Sequence, residues 1–167
     1  MWFEDVPLDV KVTLGSYTFT EENIVSFAKR YDPQPFHVDP EAAARSPYGG
    51  LIASGWHTAA VWMKLMLAYR RERIEAGAEA TQANYVSPGV RELRWLKPVR
   101  PGTTLTYTNE TFAKRDWKTR PEFGLIEGRN EARDENGELY YSFVNRVLIA
   151  RKHTPHPALS PNGRKGT

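Results

Sequence analysis

The chain contains no cysteine. That absence excludes a disulfide framework, a thiolate zinc site and catalysis by a cysteine nucleophile. A long apolar run is missing too. The most apolar stretch, from Leu51 to Leu67, is broken by Ser54, His57 and Lys64, and it falls short of the ~20 predominantly apolar residues a membrane span needs. It reads as a buried helix, and no membrane association is expected. The opening residues Met1-Trp2-Phe3-Glu4-Asp5 include two acids and no basic n-region. No signal peptide is expected there, and a cytoplasmic location is the default. The folded body also lacks an excess of charge of either sign. The whole chain carries 23 basic and 20 acidic residues, +3 in all. Arg151, Lys152, Arg164 and Lys165 stand in a terminal stretch without a single acid. The preceding 150 residues, with 19 bases and 20 acids, sum to −1. A nucleic-acid partner would require basic residues on the body, so none is expected.

What is present suits one globular domain. The 167 residues, 40% hydrophobic and 26% charged, are enough for a single core and a ligand pocket. Residues 1–150 are expected to form that domain, and residues 151–167 a basic, disordered tail. In the tail, His153 and His156 carry no specific expectation.

Periodicity divides the domain into helices first and strands afterwards. Val10, Val12 and Leu14 alternate with polar residues as in a strand, with Gly15-Ser16 read as a turn toward Tyr17–Thr20. Thr20 is placed to N-cap a helix starting at Glu21. Ile24, Phe27, Ala28 and Tyr31 recur at helical spacing as its buried face. The run Asp32-Pro33-Gln34-Pro35 stops it, because each proline drives its predecessor toward extended geometry. Glu41–Arg45 reads as one or two helical turns, followed by a loop over Ser46–Gly50. A long helix begins near Ser54 and runs to about Ala76, with Gly77 as its stop. Its first turns are apolar nearly all round, so other elements must wrap it; Trp62, Met63 and Met66 are read as core. Val90–Leu96, a long strand through Leu105–Ala113, and a hairpin of Phe123–Arg133 with Leu139–Ala150 across Asn136-Gly137 complete the pattern. The sum is an α+β plan, a curved antiparallel sheet around a central helix. Such a sheet has free edges, and pairing one with a second copy hides it. A homodimer or higher homo-oligomer is the expectation.

Chemistry concentrates in Asp32-Pro33-Gln34-Pro35-Phe36-His37-Val38-Asp39. An extended segment would hold Asp32 and His37 roughly 15 Å apart at ~3.1 Å per residue; a bend near Phe36 lets carboxylate and imidazole share one water as acid and base. Two plainer readings stand beside this one. Asp32 caps the helix and His37 is a structural histidine, or Asp32, His37 and Asp39 ligate a metal, although their spacing is not that of a convincing metal site. The segment Gly49-Gly50-Leu51-Ile52-Ala53-Ser54-Gly55 opens the apolar helix. There Gly55, without a side chain, allows close approach to an N–H that could serve as an oxyanion hole, or simply allows tight packing.

On these residues the sequence resembles the MaoC-like dehydratases of the hot-dog fold, which include (R)-specific enoyl-CoA hydratases. Their motif D-x-N-P-x-H-x-D/E is similar to Asp32–Asp39, and G-x-(I/V)-(A/V)-H-G to Gly50–Gly55. P-V-x-x-G-D-x-L is similar to Pro98–Leu105, and even Phe3-Glu4-Asp5 looks like the family's opening strand. The resemblance implies a hot-dog fold and hydration of a trans-2-enoyl thioester to an (R)-3-hydroxyacyl thioester, or the reverse. Asp32, His37 and Gly55 would be the catalytic residues. Gln34, Pro35, Phe36, Ser54, Trp56 and His57 would line the substrate site, His57 with a packing role as its alternative. The acyl group would ride on coenzyme A or an acyl carrier, and no metal or organic cofactor is implied. The basic residues Arg91, Arg94, Lys97 and Arg100, or Lys114, Arg115, Lys118 and Arg120, are candidates for the coenzyme A phosphates. Departures are Gln34 for asparagine, Ser54 for histidine, Thr103 for aspartate and Ala60 where a helix serine is common. The same fold also hosts thioesterases, which want an acid on or near the central helix; Ser54–Tyr69 has none. A binding module without turnover is the remaining alternative.

Overall fold

A computed structural model describes residues 1–77 and 86–152. Strand β1, Lys11–Phe19, leads into helix α1, Glu21–Tyr31; two short helices, α2 Pro35–Val38 and α3 Pro40–Ala44, precede the long helix α4, Gly55–Glu75. Four strands follow: β2 Val86–Trp95, β3 Thr103–Asp116, β4 Phe123–Arg133 and β5 Leu139–Ala150. All pairings are antiparallel, and the sheet runs β1-β3-β4-β5-β2, which leaves β1 and β2 at the edges.

The helix ends are where the capping chemistry puts them. Thr20 Oγ1 accepts from the Asn23 amide at 3.2 Å, and Ser54 Oγ from the Trp56 amide at 3.2 Å. Each satisfies an amide that has no partner within its helix. The hairpin β4–β5 has the expected bounds and turns over Asp134–Gly137. Helix α4 lies across the concave sheet face. Trp62 meets Phe143 of β5 edge-on at 4.7 Å, and Tyr107 of β3 donates its hydroxyl to the Thr58 carbonyl at 3.2 Å. Phe19, Ile24, Leu105 and Tyr107 are fully buried in this core, each contributing roughly 1.5–3 kcal/mol by burial. A satellite cluster of Phe3, Val6, Ile126, Val147 and Ile149 fastens the N-terminal segment over the far end of the sheet.

Four expectations need correction. Gly15-Ser16 is no turn. β1 runs straight through it with a bulge between Thr13 and Gly15, and Gly15, at φ +137°, takes a backbone conformation that a side chain would strain. Phe3–Asp5 is a single 3-10 turn, not a strand; its Phe3 ring packs where a side chain on Gly124 would be, within the satellite cluster. Tyr31 is 64% exposed because α1 turns it past the core edge, against Phe27. Met63 is half-exposed, as is Leu67. One sheet covers only one side of α4, so a helix apolar all round keeps an open stripe, to which Trp56 also belongs. The tail expected from residue 151, with His153 and His156, lies from residue 153 onward outside the described residues.

Candidate active site

The bend required near Phe36 is the helix α2. Pro35 opens it at the first helical position, where a missing N–H costs nothing. The Asp39 amide closes it on the Pro35 carbonyl at 3.0 Å. The turn brings His37 Nε2 to 3.4 Å from Asp32 Oδ2. Two backbone bonds tie the loop to its surroundings: Ile52 N–H donates to the Phe36 carbonyl at 3.2 Å, and Ala53 N–H to the Val99 carbonyl at 2.8 Å.

Each partner of the pair is held from behind. His37 Nδ1 lies 2.7 Å from the Ile52 carbonyl. A carbonyl only accepts, so this contact places a proton on Nδ1 and turns Nε2 toward Asp32. Asp32 receives Gln34 Nε2–H on Oδ1 at 2.9 Å and Ser54 Oγ–H on Oδ2 at 2.6 Å. Burial works to raise the carboxyl pKa, but the bonds from Ser54 and Gln34 and the neighbouring His37 outweigh it and hold Asp32 below its ordinary value. The carboxylate is therefore ionised at neutral pH. A carboxylate oxygen and the imidazole Nε2 then face one point, a geometry suited to exchanging protons with a shared water.

Ser54 does two jobs, capping α4 through its oxygen and bonding Asp32 through its hydrogen, and it is fully buried. Gln34 reaches the carboxylate from an exposed position. Phe36 lies edge-on to His37 at 4.5 Å and leans on Tyr48, while Pro35 is exposed at the turn. Asp39 caps α3, its Oδ1 accepting from Glu41 N–H at 2.9 Å and Ala42 N–H at 3.1 Å. Among the described residues no group of three His, Asp or Glu side chains could hold a metal ion.

Gly55 supplies the first amide of α4, beside Ser54. The space next to its Cα is not open, however. A Cβ there would lie 2.6 Å from the Trp95 indole, whose Nε1–H donates to the Gly55 carbonyl at 2.8 Å. Trp95 at the end of β2, absent from the candidate residues, is thus what Gly55 makes room for; an aromatic beside Leu96 in a strand gives no signal of such a contact. Trp56 meets Trp95 edge-on at 5.3 Å and is otherwise exposed.

His57 belongs to a different environment from Asp32. It stacks flat on Phe27 at 4.5 Å and lies edge-on to Phe19 at 5.0 Å and Tyr17 at 5.9 Å. The ring is buried, its Nδ1 has no hydrogen-bond partner, and burial lowers its pKa to about 4. The expectation of a substrate contact gives way to core packing, because an aromatic box from α1 and β1 encloses the ring. Several cations considered for phosphates are engaged elsewhere. Arg91 and Arg115 pair with the buried Glu127 at 2.5 and 2.9 Å, Lys97 pairs with Glu138, and Arg120 with Glu122. Arg100 instead donates to the Tyr48 carbonyl at 2.6 Å, on the loop that carries Phe36's neighbour.

Comparison with known proteins follows the same outline. The MaoC like domain family matches residues 6–126. A crystal structure of a MaoC-like dehydratase from Rhodospirillum rubrum is 31% identical, covers 92% of this chain and 99% of its own, and superposes with a TM-score of 0.76. The uncharacterized protein YdeM of Bacillus subtilis is 35% identical over 75 residues, 44% of this chain and 53% of that protein. Mesaconyl-CoA hydratase of Cereibacter sphaeroides is 32% identical over 73 residues, 44% of this chain and 21% of that enzyme. The match thus spans about half the length of the first of these two relatives and about a fifth of the second. The family match extends over most of the chain and includes the Asp32–His37 loop and the opening of α4. This protein belongs to the MaoC-like domain family, with the hot-dog fold of its MaoC-like dehydratase relatives.

Proposed function

We propose that the chain is a hydro-lyase that adds water across the 2,3 double bond of an enoyl thioester, or removes it from a 3-hydroxyacyl thioester. The observation that carries this reading is the facing of Asp32 and His37, with the carboxylate held by Ser54 and Gln34 and Nδ1 held by the Ile52 carbonyl. Asp32 and His37 accept a proton from a water as its oxygen bonds to the β-carbon. A proton from the same pair then goes to the α-carbon, which yields the (R)-3-hydroxyacyl product with no change in oxidation state overall. The Gly55 N–H stabilises charge on the thioester oxygen, aided by the positive end of α4. Ser54 and Gln34 position the carboxylate; Phe36 and Trp56 border the acyl group, and Arg100 is the cation proposed for a coenzyme A or carrier phosphate. No metal or organic cofactor enters these steps.

The working unit is proposed to be a homodimer in the cytoplasm. β2 is an edge strand, and along it every residue but Leu93 is exposed. Trp56, Met63 and Leu67 of α4 and Val86, Val90 and Trp95 of β2 are exposed apolar side chains, and Trp56 meets Trp95 edge-on. A second copy paired on β2 removes both the free backbone edge and these apolar side chains from water. Among the described residues, no helix is long and apolar enough to cross a membrane.

Hydration of a panel of short, long and branched trans-2-enoyl-CoA substrates, followed as loss of enoyl-thioester absorbance, tests the reaction. Activity with at least one acyl chain supports the proposal. Release of free thiol without hydration identifies a thioesterase, and failure of every acyl chain contradicts the hydro-lyase reading.

A further inference from the structure

A cavity of about 380 Å³ opens between the C-terminal half of α4, the N-terminal segment and the sheet. That volume is within the range of small-molecule sites, ~300–1,000 Å³. Its lining runs from the edge strand β1 across β3 and β4 to β5, toward the C-terminal end of α4 and away from Asp32. The lining residues Met66 to Ile74 follow Gly55 by 11 to 19 positions, roughly 16–28 Å along the helix axis. Nothing in the proposed hydration uses it.

The walls are apolar, from Val12 and Leu14 of β1, Met66 of α4, Ile126 of β4 and Ile149 of β5. Asn109, Thr111 and Asn145 give it a polar floor. These asparagines belong to a buried network centred on Asn130, whose Oδ1 accepts from Trp62 Nε1–H at 2.9 Å and Asn109 Nδ2–H at 2.8 Å. Its Nδ2 donates to Asn145 Oδ1 at 2.9 Å and to the Gly128 carbonyl at 3.2 Å. All four bonds of Asn130 are made within the protein, so it is Asn109 and Asn145 that bring amide groups to the cavity wall. Two cations, Arg70 and Arg73, stand on the helix side of the mouth, Arg73 bonded to the Tyr69 hydroxyl at 3.2 Å. The acid that lines the mouth, Asp5, is paired with Lys152 at 2.7 Å.

We infer that this cavity is a second ligand site, for an aliphatic carboxylate. The chain lies along Leu14, Met66 and Ile126, where it displaces water from apolar walls. The carboxylate meets Arg70 and Arg73 at the mouth. The amides of Asn109 and Asn145 provide partners for a hydroxyl or carbonyl carried on the chain, which a purely apolar pocket would exclude. The site is independent of turnover, and its ligand is chemically free of the thioester carrier.

Isothermal titration of the full-length protein with decanoate, 10-hydroxydecanoate and 1-decanol, each below its aggregation concentration, tests this. Saturable binding of one carboxylate per chain is expected, the hydroxylated acid at least as tight as decanoate and the alcohol at least tenfold weaker. Val10, half-exposed at the mouth, offers a plug that leaves the core alone: Val10→Trp is expected to abolish binding. Arg70→Gln with Arg73→Gln is expected to weaken the acids at least tenfold and the alcohol hardly at all. Asp32→Asn and saturating coenzyme A are expected to leave binding unchanged, which separates this site from the proposed catalytic one. The inference is overturned if no acid binds, if decanol matches decanoate, if Val10→Trp binds normally, or if Asp32→Asn or coenzyme A removes binding.

Discussion

A carboxylate in a partly covered site stays ionised only if something replaces the water it has lost. Around Asp32 that replacement is a serine hydroxyl and a glutamine amide, and the serine bond is the shorter, at 2.6 Å against 2.9 Å. Ser54→Ala removes that bond, so the Asp32 pKa rises toward its ordinary value. The acid limb of the kcat/KM pH profile is then expected to move to higher pH, with a loss of about 1 kcal/mol of stability from the missing helix cap. An unmoved acid limb would show that Ser54 does not hold Asp32. His57 makes the opposite use of burial. Its folded pKa of about 4 lies below the ordinary 6.5, so between those values the unfolded chain binds more protons and stability falls as the pH drops. Urea denaturation is expected to lose up to roughly 3 kcal/mol from this group between pH 7 and pH 4, and almost nothing from it above pH 7. His57→Phe, which keeps an aromatic ring in the box, is expected to flatten that part of the curve. An equally steep curve would refute the assignment.

At the level of elements, the N-terminus of α4 is set by a fit between Gly55 and Trp95. Helix propensity alone favours alanine over glycine by up to about 1 kcal/mol. A Cβ at 2.6 Å from the indole reverses that preference. Gly55→Ala is expected to destabilise by ~1–3 kcal/mol, and in a Trp95→Leu background the same change should cost less than half as much in a double-mutant cycle. Equal costs in both backgrounds would mean that Trp95 is not the obstacle. The sequence discloses some of these elements better than others. Thr20, Ser54 and the Asn136-Gly137 turn are local devices, each satisfying or shaping the backbone beside it, so the bounds of α1, α4 and the β4–β5 hairpin follow directly. Asp32 and His37 were legible as an acid and an imidazole five residues apart, but the bend that joins them was only a requirement until α2, opening at Pro35, supplied it. The Ile52 carbonyl that fixes the His37 tautomer and the Trp95 indole over Gly55 were not legible, since each depends on a contact across the fold between residues with no local mark. Gly15 misled for a related reason: a glycine that relaxes a bulge looks, in sequence, like one that makes a turn.

For the molecule as a whole, an α4 that is apolar all round faces a sheet on one side only. The proposed pairing of β2 with a second copy would cover the other side, and the exposed edge strand with it. Met63→Glu with Leu67→Glu is expected to convert a dimer into a monomer in sedimentation velocity at micromolar concentration, with far-ultraviolet circular dichroism unchanged. A wild-type protein that sediments as a monomer would contradict the proposed unit. The basic excess of the sequence plays no part in this architecture, because the folded body is close to neutral. The central claim rests on the pair at the mouth of α4, and it is tested most directly by comparing kcat/KM for enoyl-CoA hydration in the wild type and in Asp32→Asn. A loss of about 10²–10⁴-fold is expected, the usual contribution of a general acid–base group, with the fold intact by circular dichroism. Hydration by Asp32→Asn at the wild-type rate would contradict the assignment.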